Sequence, residues 1–292
     1  MTVTLGVLGD SYRRQLRRPL DRPPIDIIID KVAAIADEFA LQPLGIDFGV
    51  GQLPQTDAAY LDDLRGRLAA RGLLPTVIIG SLMLHADREM SEPPLERAIA
   101  NLEAAHRLGS PIGLFYFGYG GRVTREGRIR LAVEQIGRLA AAAAGYGMLV
   151  TTENYDYFTS DDFLEIFRRL DRPNVGLHND TGNWLLLDED PLAATKTMAP
   201  YTYHAHVRDY ALRDGVFTSV PIGQGAVDFP PLLDELTRIA EGRERFVLAM
   251  EMDLDTGSEA DEDAAVRQCA RYMADWYGRT IRSSAARAAS VA

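Results

Sequence analysis

Short apolar runs alternate with longer amphipathic stretches along the chain, and eight such pairs can be counted. The runs are VTLGVL at 3–8, PLGIDFG at 43–49, LPTVIIG at 74–80, PIGLFYF at 111–117, MLVTTEN at 148–154, NVGLHND at 174–180, YTYHAHV at 201–207 and FVLAMEM at 246–252. Each has the length of a buried strand. The stretches between them carry apolar residues at helical spacing, as Ile99, Leu102 and His106 do, and predict helices near 26–40, 57–71, 92–108, 124–145, 159–170, 190–199, 230–241 and 259–277. Thr159 or Ser160 offers a cap for the fifth of them.

Strands that alternate with helices build a parallel sheet with helical crossovers. Eight units predict an α/β protein with one closed (β/α)8 TIM barrel. The domain is expected over 1–280, and the small and polar residues of 281–292 are expected as a flexible tail. A doubly wound open sheet is the competing architecture, but it would need a Gly-rich phosphate turn after its first strand. GVLGDSY does not supply GxGxxG.

Four of the apolar runs close on a polar residue: Glu153, Asp180, His206 and Glu251. In a barrel these strand ends share one rim, where barrel enzymes keep their chemistry. Alternation along a strand puts Thr151 on the face of Glu153, His178 on that of Asp180, and His204 and Arg208 on that of His206. The intervening Val150, Leu177, Val207, Leu248 and Met250 are apolar, as packing against helices requires. Three carboxylates and an imidazole at one point need a positive partner, and no Lys or Arg precedes the polar residue within the first three runs. One divalent metal ion is the simplest candidate, and an N/O donor set suits Mn, Mg, Co or Zn. His178 and His204, one layer lower, are expected to support the ligands rather than join them.

Composition narrows the chemistry. A net charge of -11 argues against nucleic acid as a partner. Cys269 is the only cysteine, so neither a disulfide framework nor a thiolate zinc site can form within one chain. The only lysines, Lys31 and Lys196, fall in helical patterns, away from the strand ends where a Schiff-base lysine would stand. No apolar stretch reaches the length of a membrane span and the N-terminus enters a strand pattern directly, so a soluble cytoplasmic protein is expected. Small-molecule chemistry follows, with the oligomeric state left open.

The strand-five Glu153, the D-T-G at Asp180–Gly182, the H-x-H-V-R-D at His204–Asp209, the G-x-G-x-x-D-F at Gly223–Phe229 and the final Glu251 resemble the xylose-isomerase-like TIM-barrel family of sugar isomerases and epimerases, related to endonuclease IV. The motifs cover about 147–254. The resemblance implies a divalent metal held by Glu153, Asp180, His206 and Glu251, with Glu153 and Glu251 also exchanging protons with a substrate carbon beside a carbonyl. The implied activity is isomerisation or epimerisation of a small sugar or keto-sugar through a metal-stabilised enediolate. Lyases, dehydratases and decarboxylases of oxidised sugars or keto acids use the same metal cage and form the alternative, and a non-catalytic barrel subunit is the third reading. Five histidines cannot fill the three-zinc set of the endonuclease.

This chain departs from the family at three places. Asn183 stands where many relatives carry His, Asp47 stands at the strand-two end where Glu is common, and no acidic residue follows Glu153 at the offset of ketohexose epimerases. For substrate contacts the sequence offers His85 beyond the third strand, Asn183 to orient a hydroxyl, Arg208, and the aromatic Tyr116, Tyr155 and Trp184 near strand ends. The stretch Asp10–Pro24 packs Arg13, Arg14, Arg17, Arg18 and Arg22 into a loop expected at the same rim, as a lid or a subunit contact.

Overall fold

The protein is described by a computed structural model over residues 3–155, 157–254 and 256–291, with side chains through residue 280. Among the described residues the ten strands are β1 (Val3–Leu8), β2 (Leu44–Gly49), β3 (Leu73–Leu84), β4 (Ile112–Tyr119), β5 (Leu149–Glu153), β6 (Val175–Asp180), β7 (Thr202–Val207), β8 (Asp209–Arg213), β9 (Val216–Val220) and β10 (Phe246–Met250). Eight of them close a barrel in the order β1-β10-β7-β6-β5-β4-β3-β2. All neighbours in the barrel run parallel. The helices are α1 (Arg13–Leu16), α2 (Pro24–Phe39), α3 (Ala58–Ala70), α4 (Arg88–Arg107), α5 (Arg125–Ala144), α6 (Ser160–Leu170), α7 (Asn183–Leu186), α8 (Pro191–Met198), α9 (Phe229–Ala240) and α10 (Glu259–Val291). The barrel and its strand–helix order are those expected from the sequence. α10 continues through 281–291, the stretch expected as a flexible tail, and the side chains from 281 onward lie outside the described residues. Among the described residues no helix is long and apolar enough to cross a membrane.

Two apolar layers follow from strand alternation. The large one fills the space between sheet and helices. The small one, Leu8, Ile78, Ile112 and Leu114 with Tyr116, Leu149 and Tyr203 against it, is a separate cluster that reaches the cavity at Leu8 and Tyr116. Gly6 and Gly45 pair across β1 and β2 beside Val247, which needs their missing side chains. A Cβ on Gly45 would stand 2.6 Å from Val247 Cγ1, whereas one on Gly51 would meet nothing within 4 Å. Gly45→Ala is therefore expected to cost about 1–3 kcal/mol through overpacking. A denaturation midpoint no lower than that of a Gly51→Ala control would contradict this packing.

Three elements differ from the expectation. β3 runs on to Leu84, past a register shift between Ile78 and Gly80, because its extension pairs with β4 as far as Tyr119. α4 starts at Arg88, four residues earlier than expected, because the Asp87 side chain accepts from Glu89 N and caps it. The loop after β7 contains the antiparallel β8–β9 hairpin, closed by Asp214 and Gly215, both at positive φ. A two-residue Asp-Gly turn matches the twist of a hairpin.

Candidate metal centre

β5, β6, β7 and β10 are consecutive in the barrel, so their C-terminal ends form one arc. Glu153, Asp180, His206 and Glu251 stand on it, and one donor atom from each lies within 4.8 Å of the others. All four are buried. Each carboxylate has one oxygen tied to the protein and the other turned inward. Glu153 Oε1 accepts from Asn183 Nδ2 at 2.7 Å. Asp180 Oδ1 accepts from the backbone N–H groups of Gly182 and Asn183, both at 2.8 Å. Glu251 Oε1 accepts from Arg208 Nη1 at 2.7 Å. Of the inward atoms, Asp180 Oδ2 has no hydrogen-bond partner, and His206 Nδ1 and Glu251 Oε2 have none outside the centre itself. His206 Nδ1 stands 2.7 Å from Glu251 Oε2 and 3.8 Å from Glu153 Oε2. Buried polar atoms left without partners are costly. A divalent cation with oxygen and nitrogen ligands fits this donor set, because it satisfies all of them at once.

The motifs have local physical reasons. In D-T-G, Asp180 caps the turn into α7, Thr181 Oγ1 donates to Arg208 O and accepts from Arg208 N, each at 2.8 Å, and a Cβ on Gly182 would press on the Tyr210 ring at 2.8 Å. In the R-D pair, Asp209 accepts from the backbone N–H groups of Gly223, Gly225 and Val227 at 2.8–3.2 Å. That grip holds the G-x-G loop against the rim. A Cβ on Gly225 would fall 2.2 Å from Asp209 Oδ1, so the second glycine is what allows the approach.

The electrostatics express the crowding of negative charge. Burial, then Glu251 and Asp180, raise the Glu153 carboxyl well above the usual range. Burial and Glu251 push Asp180 up to about 7 against the pull of Arg208. Burial would raise Glu251 too, but Arg208 and then His206 outweigh it and bring it to about 2. Burial works against a charged His206, yet Glu251 and the bond to Asp47 raise its pKa well above the usual value. Arg208 therefore supplies a cation that the apolar runs themselves lack. One guanidinium also paired with Asp253 cannot neutralise three carboxylates.

A cavity of about 580 Å³ opens over the centre, lined by Glu153, Glu251, Arg208, Tyr116 and Tyr155 together with Asp10, Arg13 and Arg17 from the segment after β1. The remaining expected contacts lie elsewhere. Asn183, at the start of α7, is buried beside the centre, where it holds Glu153 and accepts from Tyr210 Oη at 3.3 Å. Trp184 is fully buried, and its Nε1 donates to Asn179 Oδ1 at 2.7 Å, because α7 turns it down into the helix layer. His85 is not on the cavity wall; it packs against Gly120 and Gly121, and its Nδ1 accepts from Asp87 N at 3.0 Å. The arginine-rich stretch is ordered as a 3-10 turn and α1, tethered largely to the start of α10. Arg13 pairs with Asp253, Arg14 N donates to Glu262, and Arg18 pairs with Glu259, while Arg22 turns back to Asp30. Arg17 faces the cavity mouth.

Two supporting residues were not singled out by sequence. Asn154 clamps the ends of β5 and β6, accepting from Asp180 N at 2.7 Å and donating to Asp180 O at 2.9 Å. Asp47, noted only as a departure from family habit, is fully buried and accepts from His204 Nε2 and His206 Nε2. Its inward parity with Gly45 was the available signal.

A closed parallel barrel with carboxylates and an imidazole converging at the C-terminal rim is an enzyme-like architecture. The chain belongs to the xylose isomerase-like TIM barrel family, whose sequence profile matches residues 30–275. No curated protein matches the sequence. Among solved structures it is similar to D-psicose 3-epimerase from Clostridium cellulolyticum H10, solved with D-tagatose, at TM-score 0.72 and 16% identity over 94% of this chain and 99% of that one. It is also similar to the IolI protein with a bound zinc atom, at TM-score 0.69 and 18% identity over 94% and 97% of the two chains. The probable 3-DHS dehydratase AsbF of Bacillus anthracis gives TM-score 0.66 and 16% identity over 90% and 97%. At such identities the likeness is one of fold.

Proposed function

We propose that this protein is a divalent-metal-dependent isomerase or epimerase of a small sugar or keto-sugar, working through an enediolate. The observation that carries the reading is the set of buried, inward-facing donor atoms of Glu153, Asp180, His206 and Glu251, most of them with no hydrogen-bond partner outside the set. These residues would hold Mn, Mg, Co or Zn. When bound, the cation polarises the substrate carbonyl and offsets the charge of the enediolate. Glu153 and Glu251 stand on the two outer strands of the four-strand arc, so a carbon held above its middle has a carboxylate on each side. One takes the proton beside the carbonyl and the other returns it. Asn183 and Arg208 each fix one oxygen of these glutamates and thereby aim the other. Tyr116 and Tyr155 wall the cavity, and Arg208, spent on Glu251 and Asp253, orients rather than binds. Solved structures of the same fold include a D-psicose 3-epimerase and a probable 3-DHS dehydratase, which is consistent with an enzyme built on enolate chemistry.

A second reading, a lyase, dehydratase or decarboxylase of an oxidised sugar or keto acid, has one observation in its favour. Arg17 faces the cavity with no ion pair of its own among the described residues, which suits a substrate carboxylate. Turnover of keto-sugars in deuterated water separates the two. Isomerase action is expected to place solvent deuterium on the carbon next to the carbonyl with no loss of mass as water or carbon dioxide. Label-free interconversion, or elimination in its place, rejects the first reading. Absence of bound divalent metal in protein purified without chelator rejects both.

A further inference from the structure

Beneath the four-residue centre lies a wholly buried polar layer made of Asp47 from β2, His178 from β6 and His204 from β7. β2 is three places from β7 around the barrel, so Asp47 meets the histidines across the interior rather than along the sheet. Its Oδ2 stands 2.6 Å from His204 Nε2 and 3.2 Å from His206 Nε2. We infer that Asp47, itself anchored by His204, is a positioning residue that fixes the His206 imidazole with Nε2–H bound below and Nδ1 presented to the metal centre above. The inference rests on the metal-centre reading proposed here.

A metal ligand must be a neutral imidazole, which has one N–H and one lone pair. Asp47 as a carboxylate can only accept, so a bond to His206 requires the proton on Nε2. That leaves the lone pair on Nδ1, the nitrogen that faces Glu251 Oε2 and Glu153 Oε2. The opposite tautomer would aim a lone pair at a carboxylate and an N–H at a cation, both repulsive in a fully buried site. His204 donates to the same oxygen at the shorter distance, so the carboxylate is pinned before His206 is counted. A fully buried carboxylate whose hydrogen-bond partners are two imidazoles is costly to maintain, and a metal ligand's outer partner is where such a cost has a use.

The same layer offers a rival explanation. His178, His204 and His206 bring nitrogens within 4.8 Å of one another, and neither nitrogen of His178 has a hydrogen-bond partner. A second cation among the three would need free donors converging there. His204 Nδ1 is also without a partner, but the Nε2 atoms of His204 and His206 are both directed at Asp47 and His206 Nδ1 is turned to the upper centre, so His206 has no nitrogen left for a lower cation, which favours the positioning role.

The test uses wild type, Asp47→Ala and Asp47→Asn as full chains. Zinc affinity is measured by competition with a chromophoric chelator, zinc stoichiometry by elemental analysis, and the His206 ring by 1H–15N NMR of the zinc-loaded protein labelled at histidine nitrogens. Wild type is expected to bind one equivalent and to show a protected Nε2–H signal for His206. Asp47→Ala is expected to lose about 10–100-fold in affinity together with that signal. Asp47→Asn keeps a neutral acceptor, so at least a threefold loss with a shifted signal is expected. Should the alanine variant fail to fold, the asparagine variant decides by the same criterion. Folded variants with unchanged affinity and an unchanged His206 signal overturn the inference while leaving the metal centre standing. A second equivalent in wild type that disappears in the variants overturns it in favour of a lower cation site. Wild type that binds no zinc, manganese, magnesium or cobalt removes the metal centre itself, and the inference with it.

Discussion

Glu251→Gln is expected to lower kcat by about 10²–10⁴-fold, the usual contribution of a positioned general acid or base. The substitution keeps the volume of the side chain, and its neighbours in β10 are apolar and fully packed, so the barrel is expected to stay folded. What it removes is the ability to accept a proton. The geometry adds a second consequence. Arg208 Nη1 donates to Glu251 Oε1 and can only donate, so a glutamine at 251 places its oxygen toward Arg208 and its amide N–H₂ toward the centre. Metal affinity is therefore expected to fall as well. Kinetics belong at saturating metal with bound metal quantified on the same sample, so that loss of the base is read apart from loss of the ion. In deuterated water the variant is expected to exchange hydrogen in the epimer whose C–H faces Glu153 faster than it interconverts the two epimers, because Glu153 can still remove and return that proton. A variant with full metal content and kcat within tenfold of wild type would remove Glu251 from proton transfer.

The candidate centre was legible because each ligand closes an apolar run and strand alternation then decides which way it points. Alternation fixes a side chain only inside a strand. Trp184 and His85 lie just beyond strand ends, and the sequence does not encode the direction of the first turn after a strand. There α7 sends Trp184 into the core and the loop after β3 sends His85 against two glycines. Asp47 shows the opposite case. Its face was readable, but its partners are 157 and 159 residues away and meet it only through the barrel interior. The arginine-rich segment was placed at the right rim, yet the acids that tether several of its arginines sit at the start of α10, more than 240 residues on. The β8–β9 hairpin, in contrast, was announced by Asp214-Gly215 between two β-branched or aromatic stretches, a signal present in the sequence and simply outweighed by the strand–helix rhythm around it.

Stripping the metal is expected to make the protein less stable as pH rises from about 5 to 7, and to make metal binding tighter over the same range. Asp180, held near 7, and Glu153, raised well above its usual range, keep protons in the folded, metal-free protein that the unfolded chain has already released. A folded state that binds more protons than the unfolded one loses stability with rising pH, by about 1.4 kcal/mol per pH unit for each proton retained. His206, also raised, adds the same sign above the unfolded imidazole value near 6.5. Glu251 opposes this only below the unfolded carboxylate range, because its own pKa is lowered to about 2, so its contribution is complete by about pH 5. A bound cation must displace the retained protons, and its affinity rises about tenfold per pH unit for each proton displaced. The gap in unfolding midpoint between metal-loaded and chelator-treated protein is therefore expected to widen steadily between pH 5 and 7. Surface groups titrate equally in both samples and cancel from that difference. A gap that stays constant, or narrows with rising pH, would mean that no protons are held at the centre and that the four residues are already satisfied without a cation.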